Sequence, residues 1–189
     1  MVASWEVVGY CGARMPDPGG RAPPTQPPGF ELLSCERDPL RFRGTFEHAL
    51  DAKHRLTVPA KFRASLSNGV VLAASPETNA DTPRSIAIWT PEAYDAYATA
   101  TVAGMSPMSP KARELERFFN NQSYDTELDS AHRVMIPTFL REYAGLGQKV
   151  VVTGSGQCLE VWPGDAYARY RDGVLIRIPE IAASLGDTA

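Results

Sequence analysis

The chain has 189 residues, 43% of them hydrophobic, with a formal net charge of -3 and a sequence pI of about 5.6. That length suits one or two small domains, and the acidity excludes a protein that coats nucleic acid indiscriminately, because non-specific affinity grows with the number of phosphates neutralised. No apolar run reaches the length of a membrane span, and Cys11, Cys35 and Cys158, odd in number and without a C-x-x-C pair, argue against a disulfide framework and a structural zinc site and fit a reducing cytoplasm.

Residues 1–40 carry Pro16, Pro18, Pro23, Pro24, Pro27, Pro28 and Pro39 with several glycines, and show neither helical nor alternating apolar periodicity. They read as a disordered extension, and they lack the apolar stretch of an export signal. Translation is expected to begin near Leu40 in the cell; an intact mass that starts at Met1 would sink that expectation. From Arg41 to Leu50 the pattern is that of a strand with Phe42, Phe46 and Leu50 facing inward. A helix is expected to open at Pro59, run through Phe62 and Leu66, and stop at Ser67-Asn68-Gly69. Val70–Ala74 and Ser85–Trp89 read as strands, joined by an exposed loop from Pro76 to Pro83.

Thr90-Pro91-Glu92 is a helix entry: a capping hydroxyl, a proline in the first turn and an acid suited to the helix dipole. Tyr94 and Tyr97 share one face of that helix, a spacing more typical of packing than of a nucleobase platform. Ser109-Pro110 opens a second helix through Leu115, Phe118 and Phe119. After Tyr124 come a further strand, a helix capped by Gly145, and the strands Lys149–Thr153 and Cys158–Trp162. Gly154-Ser155-Gly156-Gln157 between them reads as a hairpin turn, since no helix follows to make a phosphate cradle. Beyond Arg171 periodicity resolves only the apolar run Val174-Leu175-Ile176 before Pro179.

The stretch Leu50–Arg63 returns as Leu128–Arg141, with Leu, Asp, His, Arg, Pro and Arg at equal offsets; Trp89, Tyr94 and Tyr97 match Trp162, Tyr167 and Tyr170 after a shorter connection. Such a repeat implies two small units packed about a pseudo-two-fold axis, because neither could bury a good core alone. Each copy centres on D-x-x-x-R. Asp51 and Asp129 are placed to accept hydrogen bonds from the backbone of their own turns, and Arg55 and Arg133 leave the turn four residues later. Two readings stand at this point, a structural turn with an internal acid–arginine pair, or a loop that presents arginine to a ligand.

These residues resemble the MraZ family of bacterial transcriptional regulators. The resemblance rests on both D-x-x-x-R motifs, Arg43-Gly44-Thr45-Phe46, Pro59-Ala60-Lys61-Phe62-Arg63, the run from Leu140 to Leu146, and Leu159-Glu160-Val161-Trp162, and it covers about residues 41–171. It implies an α+β fold, a tandem pseudo-two-fold repeat of swapped-hairpin, AbrB-like double-split β-barrel units with flanking helices. The expected organisation is an extension at 1–40, a first repeat at 41–104, a connecting helix at 105–123, a second repeat at 124–171 and a tail at 172–189. One departure stands out: many members carry glycine before the motif arginine, where this chain has His54 and His132. Glycine there signals positive φ, which histidine tolerates better than most residues.

The cations Arg41, Arg43, Lys53, Arg55, Lys61 and Arg63 face only Glu47 and Asp51, whereas the second copy offers Arg133 and Arg141 against Asp125, Glu127 and Asp129. The first copy is therefore the expected DNA-facing one, with the second motif kept mainly for folding. Arg55 would read guanine in the major groove, Lys53, Arg43 and Arg63 would touch phosphate, His54 could face a phosphate, Asp51 would order the loop, and Asp129 and Arg133 would contribute more weakly. The resemblance further implies double-stranded DNA as partner, at direct repeats upstream of the division and cell-wall gene cluster, and a homo-oligomeric closed ring at the nucleoid in the cytoplasm. No cofactor, metal, membrane or small-molecule substrate is expected. An enzyme is disfavoured, because the three histidines do not recur at helical ligand spacing and no nucleophile has an obvious base. An interaction scaffold that forms the same ring without reading DNA is the competing expectation.

Overall fold

The computed structural model describes residues 42–76 and 82–186. The extension 1–40, Arg41, and residues 77–81 of the loop between Pro76 and Pro83 lie outside the described residues, and with them the readings of disorder and of an exposed loop.

Each copy contributes four strands: β1 (Thr45–Ala49), β2 (Arg55–Thr57), β3 (Val70–Ala74) and β4 (Ile86–Trp89), then β5 (Ser123–Thr126), β6 (Arg133–Met135), β7 (Lys149–Gly154) and β8 (Leu159–Pro163). Six form an antiparallel sheet in the order β1-β7-β8-β4-β3-β5, and β2 with β6 makes a separate two-stranded ribbon. Exchanging the labels of the two copies and reading from the other edge gives the same order. β4 and β8 meet at the centre, while each copy's first strand pairs with the other copy's third: Phe46 lies opposite Val152 in β1–β7, and Tyr124 opposite Leu72 in β5–β3. The fold is α+β, with a mostly antiparallel sheet and four α-helices among the described residues.

Strand alternation sets the two cores. Val70, Leu72 and Ala74 face the main core with Leu56 and Val134 of the ribbon, Leu140 and Val161; Val71 and Ala73 face the opposite side with Ala87, Trp89, Tyr94 and Phe119. Both faces of β3 are covered, so its sequence is apolar throughout instead of alternating. The outer cover is α1 (Pro91–Val102) and α2 (Pro110–Asn121), whose entries follow the expected chemistry: Thr90 Oγ1 accepts from Ala93 N at 3.3 Å and Ser109 Oγ from Ala112 N at 3.1 Å. Trp89 stacks on Tyr97 with centroids 4.9 Å apart, and Trp162 on Tyr170 at 5.2 Å, so the aromatic correspondence between the copies is also spatial.

The second copy's helix α3 (Thr138–Ala144) ends as expected at Gly145, whose φ of 62° is the left-handed cap. The first copy departs from expectation. Ala60–Phe62 is one 3-10 turn followed by further turns, and Leu66 N is shared between the carbonyls of Phe62 and Arg63 at 3.2 and 3.3 Å. Ser67 Oγ donates to the Ala64 carbonyl at 2.8 Å, a local side-chain bond that competes with a regular helix. The run after Arg171, which periodicity left open, belongs to α4 (Gly164–Gly186), a helix that continues through Pro179. No helix among the described residues is long and apolar enough to cross a membrane.

Candidate nucleic-acid interface

The two motif loops are built alike, bond for bond. In the first, His54 N donates to the Asp51 carbonyl at 2.8 Å and Asp51 N to the Arg55 carbonyl at 3.0 Å; in the second, His132 and Asp129 make the same bonds at 2.8 and 2.9 Å. Asp51 Oδ1 accepts from the backbone N–H groups of Lys53 and Arg55 at 2.8 and 2.9 Å, and Asp129 Oδ1 from Ala131 and Arg133, both at 2.9 Å. The tight turn places His54 at φ 58° and His132 at φ 57°, in the left-handed region. The turns are also tied across the repeat: Ile136 N donates to the His54 carbonyl at 3.1 Å and Val58 N to the His132 carbonyl at 3.0 Å.

The second carboxylate oxygens bring both motifs into one cluster. Arg55 Nε and Nη2 each reach Asp51 Oδ2 at 2.7 Å, and Arg133 Nε and Nη2 reach Asp129 Oδ2 at 2.9 and 2.8 Å. Crossed contacts at 3.6 Å (Arg55 to Asp129) and 3.8 Å (Arg133 to Asp51) close the square. The Arg55 guanidinium, helped by the backbone N–H groups of Arg55 and Lys53, holds the Asp51 carboxyl down at about 2; Arg133 lowers Asp129 in the same way. The two arginine side chains are 26% and 31% exposed, so the cluster is half open to solvent and not sunk in a neutral interior.

The sequence-derived site residues divide on this geometry. Asp51, Arg55, Asp129 and Arg133 come together, with Lys53, His54 and His132 exposed around them. Arg63 lies beside the second motif loop, in a cleft with Asp129 and His132, and its Nε donates to the Val58 carbonyl at 3.0 Å. Arg43 is placed elsewhere: Phe42, its neighbour, pairs with Gly156 beyond the start of β1, and the length of β1 alone separates the two ends by roughly 13 Å. Lys61 goes with it, donating to the Arg43 carbonyl and lying over the Phe46 and Phe62 rings at 4.8 and 4.6 Å. The two motif loops, tied by crossed ion pairs and backbone bonds, form one unit. Sequence reasoning did not select Arg141, which lines a cleft with Asp51 and His54; its equal offset from Arg63 was the available signal. Cys158 is buried and its thiol is pushed up to about 12, first by burial and then by the nearby Glu160, which leaves it protonated and unreactive at neutral pH. Among the described residues no group of three or more histidine, cysteine or acidic side chains could hold a metal ion.

A duplicated α+β scaffold that closes two acid–arginine turns into one half-open cluster defines the class. The family model described as "MraZ protein, putative antitoxin-like" matches residues 41–118 and 120–182. The chain is similar to the transcriptional regulator MraZ of Oenococcus oeni, at 33% identity over 147 residues, 77% of this chain and 97% of that protein. It is also similar to the protein of that name from Kocuria rhizophila, at 36% over 129 residues, covering 68% and 85% of the two chains. The chain belongs to the MraZ family.

Proposed function

We propose that this protein is a sequence-specific DNA-binding transcriptional regulator that binds direct repeats upstream of the division and cell-wall gene cluster, as a closed ring of copies at the nucleoid. The observation that carries the reading is the convergence of both motif loops. An acidic chain can hold an anionic duplex only where cations are gathered, and Lys53, Arg63 and Arg141 lie about a cluster whose own charges cancel. The names of the relatives agree with that role. The exchange of first strands between copies supports the swapped-hairpin, AbrB-like description. Exposed Leu175, Ile176, Ile178 and Ile181 on α4 support contact between copies, and a head-to-tail contact that closes gives a ring in which each copy engages one repeat.

Arg55 is assigned guanine readout through its terminal nitrogens while Nε stays bonded to Asp51, so that the carboxylate remains neutralised. That a motif guanidinium is already bonded to carboxylate favours the second reading, a scaffold whose arginines only brace the loops. Salt separates the two readings, since DNA binding weakens steeply with ionic strength. In a gel shift with DNA upstream of this protein's own reading frame, Arg55→Ala is expected to abolish the specific shift while size-exclusion shows the oligomer unchanged. Scrambling one repeat should remove the shift of the parent protein; an unchanged affinity of the variant at fixed salt removes Arg55 from the readout.

A further inference from the structure

Two clefts flank the carboxylate–guanidinium cluster, one beside each motif aspartate. The first, of about 370 Å³, is lined by Leu50, Asp51, Ala52, His54 and Arg141; the second, of about 340 Å³, by Leu128, Asp129, Ser130, His132 and Arg63. The offset that superposes the motifs carries each of these residues onto its counterpart, with the arginines exchanged between copies. Each cleft thus takes its histidine from one repeat and its arginine from the other. Repetition of the cleft together with its cation sets it apart from an incidental dent in the surface.

The carboxylates in these clefts would repel an anion if they stood alone. Each is already bonded to a guanidinium, so the cluster of two acids and two arginines is neutral and the outer arginines carry the uncompensated charge. Arg141 makes no ion pair or side-chain hydrogen bond among the described residues, and Arg63 uses only Nε, leaving its two terminal nitrogens for a ligand. A planar fork with free terminal nitrogens is the group suited to a phosphate's oxygens.

We propose that the two clefts seat two phosphate groups of one DNA duplex, Arg141 with His54 holding one and Arg63 with His132 the other. The inference rests on the DNA-binding reading above and supplies its backbone contacts. A duplex is favoured over a free anion because its strands are themselves related by two-fold axes, which a pair of clefts related by a pseudo-two-fold can match. The clefts are not identical. Exposed Lys53 falls between the lining residues Ala52 and His54 of the first, where Ala131 falls between Ser130 and His132 of the second, so the pair has a direction on DNA, as binding to direct repeats requires.

The test measures affinity of the full chain for the upstream duplex between about 50 and 200 mM salt, for the parent, Arg141→Gln and Arg141→Lys. Loss of one phosphate contact lowers the logarithmic salt slope by about 1, so Arg141→Gln should lose affinity about three- to fourfold less steeply across that range. It should weaken matched and scrambled duplexes alike, and Arg141→Lys should restore the slope. Arg63→Gln repeats the experiment at the second cleft, with circular dichroism reporting whether loss of its bond to Val58 disturbs the fold. A parent that binds while Arg141→Gln keeps its slope overturns the cleft assignment and leaves the DNA reading standing; a parent that binds no duplex overturns both. Inorganic phosphate titrated into parent and variant is the last arm, and an Arg141-dependent phosphate site with no change in the DNA slope would overturn the duplex as its source.

Discussion

Asp51 divides its work between two oxygens, one ordering the turn through backbone N–H groups and one holding the guanidinium of Arg55. An asparagine in its place would keep an acceptor for the turn and lose the charge, so Asp51→Asn isolates the ionic part. The carboxyl titrates at about 2 in the fold against an ordinary 3.8. A depressed acid stabilises the folded state fully above its unfolded value, and that contribution fades as pH falls from 3.8 towards 2. Melting temperatures of parent and Asp51→Asn should therefore differ most near pH 5 and converge towards pH 2; a gap that stays constant would mean the charge is not what the loop uses. At this scale the sequence was informative about the turn, whose Asp51 and Asp129 accept from their own backbone as expected, while the positive φ of His54 and His132 was suggested only by the family resemblance. The crossing of the two Asp–Arg pairs was not legible, since spacing along the chain gives the partner four residues away and is silent about the partner in the other copy.

Elements were legible where local chemistry decides them and illegible where it competes. Thr90 and Ser109 sit before proline and cap α1 and α2, and Gly145 caps α3, as read. The first copy's helix is a single 3-10 turn, Ala60–Phe62, followed by turns in which the Ser67 hydroxyl offers the Ala64 carbonyl another partner, and α4 runs on through a proline that a sequence rule would take as a stop. At Gly154 the chain has no room for a side chain. A Cβ there would lie 2.4 Å from the Phe42 carbonyl carbon and the Arg43 nitrogen, backbone atoms fixed by the bonds between Phe42 and Gly156 and between Gly44 and Gly154. Gly154→Ala is expected to pry this segment from β7 at a cost of about 3 kcal/mol, the upper end for overpacking. Gly147→Ala, with nothing within 4 Å of its Cβ, should stay within about 0.5 kcal/mol. Urea denaturation of the two variants compares them, and equal midpoints would show that the approach at Gly154 is relaxed in solution.

For the whole molecule, the duplication in the sequence announced the symmetry of the sheet but not its pairings. Alternation tells which residues share a face, and both copies have the same faces, so a sequence of this kind fits copies that stand side by side as well as copies that exchange strands. The exchange is what the structure adds, and it makes the halves interdependent. Residues 42–104 hold β1 without β7 and β3 without β5, and Leu56, fully buried against the ribbon's other strand, would lose Val134. About 60 residues already bury only a marginal core, and this half would also open four strand edges, on β1, β2, β3 and β4, and leave its motif carboxylate without the crossed arginine. Segments 42–104 and 105–186, expressed apart, are each expected to lack cooperative unfolding by circular dichroism. Mixed at equal concentration they should regain the strand signal, with a midpoint that rises with concentration because the fold is then an association. A first segment that melts cooperatively by itself would show that each copy is a domain in its own right, and that strand exchange is an accessory to the fold instead of its basis.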